Sequence, residues 1–217
     1  MERLDLALIV PCHNEAARLN PQAFLDFAVT HPSVRILFVD DGSADATFVI
    51  LDRLHQTLPD AIQVMRLAAQ QGKAEAVRRG ILEGLRFEAD LVGFWDADLS
   101  TPLNAVDDFL TVARVRPEME VFLGSRVMLM GRDIRRLAWR HYLGRAFATG
   151  VSVTLGLPVY DSQCGAKVFR VNDAIAAVFA QPFRSRWIFD VEVLARYLDR
   201  PVQPGTKPRR SRIYEVA

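Results

Sequence analysis

Short apolar runs, each broken by polar or glycine-containing loops and separated by helix-like stretches, constrain this 217-residue chain more than any other feature. Residues 6–10 read Leu-Ala-Leu-Ile-Val with no polar alternation, a pattern that predicts a strand buried on both faces, as in a parallel sheet. Comparable runs at 34–39, 62–67, 91–95 and 121–126 predict four more strands. Helices are predicted between them at 21–29, 46–58, 74–87 and 102–114, the first with Pro21 near its start. Strands alternating with helices of this length mean βαβ units and a mostly parallel sheet flanked by helices, an α/β fold.

Composition narrows the function classes. Half the residues are hydrophobic and 24% are charged, an ordinary globular balance, and the net charge of +1 gives no overall field for nucleic acid. Acidic residues gather in the first hundred positions, whereas arginine collects between 126 and 145 and again after 184. Cys12 and Cys164 form no disulfide framework, which fits a reducing compartment. Met1 opens almost directly onto the first strand, so no signal peptide is expected, and no apolar stretch reaches transmembrane length.

The chemistry-bearing residues fall at the strand ends. Loops at 11–15, 40–43, 96–100 and 124–126 follow four of the strands, and Gly72-Lys73 opens the helix after the third. In a doubly wound sheet such ends share one edge, where ligand crevices form. Asp96 and Asp98 would point the same way if their strand continued. Carboxylates that close repel unless a cation lies beside them. A hard divalent ion, Mg²⁺ or Mn²⁺, takes oxygen ligands, and a diphosphate can fill the rest of its shell. The plainer alternative is that Asp96 caps the next segment and Asp98 is solvated. Asp40-Asp41 is a second carboxylate pair that a turn alone does not require, whereas Ser43 and Asp45 read as caps for the following helix. Lys73 is either a surface lysine or the neighbour of an anion, since a helix start itself favours anions. Cys12 and Cys164 read as packing residues, His13 and His141 lack partner spacing for a metal, and Trp187 and Phe189 either fill core or meet an acceptor.

Pro11-Cys12-His13-Asn14-Glu15, Asp40-Asp41-Gly42-Ser43-Ala44-Asp45, Gln71-Gly72-Lys73 and Asp96-Ala97-Asp98, in this order and spacing, resemble family 2 inverting glycosyltransferases of the Rossmann-like GT-A fold. The resemblance spans about residues 5–200. Residues 161–169 and 187–194 are similar to those of polyprenyl-phosphate (dolichyl-phosphate) glucosyltransferases within that family. The resemblance implies roles for individual residues. Pro11, Glu15 and Asp41 would lie against the uridine of a nucleotide-sugar donor, with Asp40 close by. Gly72 and Lys73 would approach the nucleotide and its ribose. Asp96 would face the ribose or the metal, and Asp98 would hold Mg²⁺ or Mn²⁺ on the diphosphate. Asp190 matches an acidic residue near the acceptor, the base if that acceptor is a hydroxyl. Arg126, Arg132, Arg135, Arg136 and Lys167 would cradle a lipid phosphate acceptor. Ser100 stands where many such relatives carry Gln, and Ala166 where they often carry an aromatic residue.

A helix predicted at about 131–148 places Arg132, Arg136 and Arg140 on one face, with Trp139, Tyr142, Leu143 and Phe147 supplying apolar surface. It reads either as an amphipathic helix on an anionic membrane or as one packed on the sheet with a solvated basic face. One transferase domain is expected over 1–200, followed by a Pro/Arg-rich tail at 201–217 that begins a possible edge strand and looks short beside such relatives. The reading that results is glucosyl transfer from UDP-glucose to a polyprenyl phosphate, peripheral on the cytoplasmic face of a membrane. The alternatives are a mannosyl transferase using GDP-mannose, transfer to another acceptor, and an inactive nucleotide-sugar binding protein.

Overall fold

The computed structural model describes residues 4–125, 156–157, 164–186, 188–202 and 205–216. The predicted basic helix with Arg126, Arg132, Arg135 and Arg136 lies outside the described residues, as does Trp187.

The apolar runs form the centre of the sheet. Strands β1 (Leu6–Cys12), β2 (Val34–Asp40), β3 (Ile62–Arg66) and β4 (Leu91–Phe94) pair in parallel in the order β3-β2-β1-β4. Beyond β4 the order continues β6-β5-β7, with β5 at Val121–Gly124, β6 at Lys167–Arg170 and β7 at Ile213–Val216. β6 runs antiparallel to both β4 and β5, and β7 is parallel to β5. The sheet is therefore mostly parallel, with one reversed strand among those described. β6 had no counterpart among the predicted strands. It has only four residues and opens on a lysine, so no apolar run marks it.

Helices cover both faces. They are α1 (Pro21–Thr30), α2 (Thr47–Thr57), α3 (Lys73–Gly84), α4 (Val106–Val115), α5 (Asp173–Phe179) and α6 (Phe189–Leu198). Alternate residues of β1 face opposite layers. Leu8 and Val10 join Phe24, Phe38 and Phe109 on one side, while Ala7 and Ile9 join Val77, Ile81 and Leu194 on the other. Burying each of the Val, Leu, Ile and Phe side chains among them contributes about 1.5–3 kcal/mol. Helix α3 lies especially close to β1, because at Gly80 an added Cβ would stand 2.4 Å from Ile9 Cγ2. That close packing fixes where the start of α3 meets the sheet edge.

Several boundaries differ by a residue or more from the sequence reading. β4 stops at Phe94, α3 gives way to a 3₁₀ turn at Leu85–Phe87, and a 3₁₀ turn at Leu103–Ala105 precedes α4. The tail forms a 3₁₀ turn at Arg209–Arg212 and then joins the sheet as the edge strand β7. Glu120 holds it there, accepting from Arg212 Nη1 (2.5 Å), Arg209 Nη1 (3.1 Å) and the Tyr197 hydroxyl (2.8 Å).

Candidate active site

β1 and β2 run in register as far as Cys12 and Asp40, so the loops that follow emerge side by side. The two loops are stitched together. Asn14 N–H donates to Ser43 Oγ (3.0 Å), Ala44 N–H to Asn14 Oδ1 (3.0 Å), Glu15 N–H to Thr47 Oγ1 (2.8 Å) and Ala16 N–H to Asp45 Oδ2 (3.2 Å). Asn14 has a φ of +51°, a left-handed conformation that Asn tolerates better than most residues. The cap residue of α2 is Ala46, with no side-chain hydrogen bond, and Ser43 stitches the two loops, whereas Asp45 does both, its Oδ2 taking the Ala16 amide and its Oδ1 the N–H of Thr47, the first residue of the helix (2.9 Å). The Thr47 hydroxyl, followed by the Thr47 and Ala16 amides, holds the Asp45 carboxyl below its ordinary range.

The Asp40-Asp41 pair divides. Asp40 ends β2, is 0% exposed and turns toward Arg66, its register partner on β3, with Oδ2 3.2 Å from the guanidinium. It does not line the cavity described below. Asp41 lies one residue further on, 2% exposed, and reaches across to the start of α3. Its Oδ1 accepts from Gln71 N–H (2.6 Å) and its Oδ2 from Gly72 N–H (2.8 Å). Gly72, the cap residue of α3, holds a φ of +95°, a conformation open to glycine and costly for other residues.

Lys73 follows immediately and donates to Asp96 Oδ1 at 2.5 Å. The Asp96 carboxylate also accepts from Ser100 Oγ (3.3 Å) and rests on Gly165, where an added Cβ would stand 1.7 Å from Oδ2. Strand β4 has ended by this point, and residues 96–99 close a turn through Leu99 N–H to Asp96 O (3.2 Å). The two carboxylates are thus presented by a turn and not by a continuing strand. Asp98 is exposed and accepts from Ser100 N–H (3.0 Å) through Oδ1. Among the described residues no three His, Cys, Asp or Glu side chains gather at metal-holding distance. Two neighbouring carboxylates nevertheless suit Mg²⁺ or Mn²⁺ when a diphosphate supplies further oxygens. Asp98, with its second oxygen free of the Ser100 bond, and Asp96 could hold such an ion.

The opposite wall comes from α6. Asp190 sits in the first turn of that helix, 7% exposed, and accepts from Lys167 Nζ at 2.7 Å. Lys167 is 0% exposed, lies between β4 and β5, also donates to the Cys164 carbonyl (2.6 Å) and passes over the Phe94 ring at 5.4 Å. It was expected to hold an acceptor phosphate. The sheet instead encloses it, and its charge is directed at Asp190. Cys12 and Cys164 are buried. Burial, with Glu15 and Asp40 adding, pushes the Cys12 thiol far up, which fits a packing residue.

These loops enclose an open cavity of about 850 Å³. Its walls bring together Pro11, Glu15, Asp41, Gly72, Lys73 and Asp190 from the predicted set. Asp96 adjoins it through Lys73. The cavity also includes Arg18, Gln70 and Arg186, which the sequence reading had not singled out. Arg18 is bonded to Glu15 Oε1 (2.8 Å), while Glu15 Oε2 is buried with no hydrogen-bond partner among the described residues. An exposed arginine in a loop has no sequence signature, so only its position at the cavity reveals Arg186.

A crevice at the carboxyl ends of β1, β2 and β3, lined by carboxylates and closed by α6, lies where an open α/β sheet binds its ligand. The family profile "Glycosyl transferase family 2" matches residues 7–171, and the chain belongs to that family. It is 30% identical over 220 aligned positions to a dolichyl-phosphate beta-glucosyltransferase of Dictyostelium discoideum, covering 93% of this chain and 65% of that one. The corresponding mouse protein is 32% identical over 206 positions, covering 88% and 62%. The chain therefore spans a little under two thirds of these relatives' length. Glucosyl-3-phosphoglycerate synthase from Mycobacterium tuberculosis, solved with Mn²⁺, UDP and its product, superposes with a TM-score of 0.66 at 17% identity. The match covers 98% of this chain and 69% of that one, and establishes the shared GT-A fold.

Proposed function

We propose that the chain transfers glucose from UDP-glucose to a polyprenyl phosphate, with inversion and a divalent metal, as a peripheral protein on the cytoplasmic face of a membrane. The observation that carries this reading is one cavity with Asp41, Gly72 and Lys73 on one wall and Asp190 on the other. The names of the relatives favour glucose and a dolichyl-type phosphate. The neighbour solved with UDP and Mn²⁺ favours the donor and the ion. Among the described residues, no helix is long and apolar enough to cross a membrane. Attachment would fall to the predicted helix at 131–148, whose Arg132, Arg135 and Arg136, with Arg126, would meet the lipid phosphate.

The reaction breaks the bond between glucose C1 and the β-phosphate oxygen of UDP. It forms a bond from C1 to an acceptor phosphate oxygen arriving on the opposite face. A divalent ion held by Asp98 and Asp96 would neutralise the negative charge that builds on the departing diphosphate. Lys73, released from Asp96, would add its own charge to the same group. A phosphomonoester loses its second proton near pH 6, so the acceptor is mostly a dianion at neutral pH and has no proton to give up. Asp190 then orients groups and does not act as a base. With a hydroxyl acceptor it would be the base.

The test is incubation with Mg²⁺ and a short-chain polyprenyl phosphate, offering UDP-glucose and GDP-mannose separately, with lipid-linked sugar read by mass spectrometry. Product from UDP-glucose alone is expected. Product from GDP-mannose alone would overturn the donor assignment, in line with the 31% identity over 173 positions to a polyprenol monophosphomannose synthase of Mycolicibacterium smegmatis. No product from either donor, with UDP still bound, would mean another acceptor or a nucleotide-sugar binding protein.

A further inference from the structure

The cations at the cavity are unequally available. Arg18 is bonded to Glu15, and Lys73 to Asp96. Lys167, beneath Asp190, is sealed from solvent. Arg186 alone among the cavity-lining cations described has neither an ion pair nor a hydrogen bond with a described residue, although three carboxylates, Glu15, Asp41 and Asp190, line the same cavity. It stands directly across from the start of α3, its Cδ 3.8 Å from where a Cβ on Gly72 would be. It also lies four residues before Asp190, on the segment leading into α6. The Arg186 side chain therefore approaches the Gly72-Lys73 wall from the segment that leads into Asp190.

We propose that Arg186 is a substrate-phosphate ligand of this site, a role that rests on the reading of the cavity as a nucleotide-sugar site. A guanidinium presents a fork of N–H donors that matches phosphate oxygens two at a time, and it keeps its charge at every working pH. Without it, a dianion entering the cavity meets three carboxylates and two cations already neutralised by their partners. With it, the positive end at the start of α3 and the guanidinium opposite close on the anion from two sides. Two substrates carry this chemistry, the diphosphate of the donor and the phosphate of the acceptor.

The experiment compares wild type with Arg186→Gln and Arg186→Lys in Mg²⁺. It measures Kd for UDP, for uridine and for inorganic pyrophosphate by calorimetry, and KM for polyprenyl phosphate. Loss of a charge-assisted pair is expected to weaken the phosphate that Arg186 holds by about ten- to a hundredfold. Uridine binding should be unchanged, and the lysine variant should recover part of the loss. Weakened UDP and pyrophosphate binding assigns the guanidinium to the donor. A raised KM for polyprenyl phosphate, with UDP unchanged, assigns it to the acceptor. The proposal is overturned if all phosphate ligands stay within twofold, or if uridine weakens as much as UDP. The pyrophosphate and UDP titrations need no turnover. A protein that binds them through Arg186 yet makes no lipid-linked sugar would sink the proposed reaction and leave this inference standing.

Discussion

Replacing Lys167 by Met keeps most of the side-chain volume but removes a cation that the sheet has buried completely. Three groups lose a partner. Asp190 Oδ1 loses its 2.7 Å ion pair, the Cys164 carbonyl loses its 2.6 Å donor, and the Phe94 ring loses the charge above it. Removing one member of a buried pair typically costs about 3–5 kcal/mol, because the other charge is left uncompensated. The Asp190 side chain keeps 10% of its exposure and opens onto the cavity, so water relieves part of that cost and the lower half of the range applies. About 3–4 kcal/mol corresponds to a fall in Tm of roughly 6–16 °C for a domain of this size. Asp190→Asn alone should cost a similar amount, since it strands the lysine. The double variant, with neither charge, should come within about 1–1.5 kcal/mol of wild type, giving a coupling energy of about 4.5–7 kcal/mol in magnitude. Urea melts of the four proteins at pH 7 make the cycle. Turnover then separates fold from chemistry, because the double variant should regain stability but not transfer. A coupling below about 0.5 kcal/mol would show that the pair is not a buried unit and would refute the reasoning.

Three further outcomes follow from the same geometry. Gly165→Ala places a Cβ 1.7 Å from Asp96 Oδ2, so the carboxylate must leave its place beside Lys73, and kcat should drop about tenfold or more while the urea midpoint moves little. Asp98→Ala should abolish the metal dependence of turnover yet leave metal-free UDP binding intact, as read by calorimetry with and without Mg²⁺. Glu75 carries a pH prediction, because bonds from Arg78 first and then Arg79 hold its carboxyl below the ordinary range. A depressed folded-state value adds stability above the unfolded value, near 4.5, and loses it as pH falls through the lowered one. The stability gap between wild type and Glu75→Gln should therefore be present at pH 7 and close progressively below about pH 4.5, in urea melts at stepped pH.

What could be read from the sequence, and what could not, follows from where each residue finds its partner. The central strands and the helices between them were legible because burial on two faces leaves an unbroken apolar run, as in Leu6–Val10. Gly72-Lys73 was legible because a glycine before a helix marks a backbone demand that the φ of +95° bears out. The Asp40-Asp41 pair was legible only as a pair. The period of two sends adjacent side chains to opposite sides, so one carboxylate meets Arg66 across a strand and the other meets two amides 30 residues on. Nothing local says which is which, because the choice depends on the register of β2 against β3. Lys167 shows the same limit more sharply. In sequence a lysine reads as surface or as a phosphate cradle, yet its environment is set by strands β4 and β5 on either side and by Asp190, 23 residues away. Ser43 fits the composition of a helix cap, but the neighbouring loop offers it the Asn14 amide, while Asp45 divides its two oxygens between that loop and the start of α2. Each of these residues belongs to the site through a tertiary partner, and a sequence pattern records residue types and spacing without recording partners. That is also why Arg186 escaped notice. Its distinguishing property is the absence of a bonded partner among the described residues in a place where Arg18, Lys73 and Lys167 all have one.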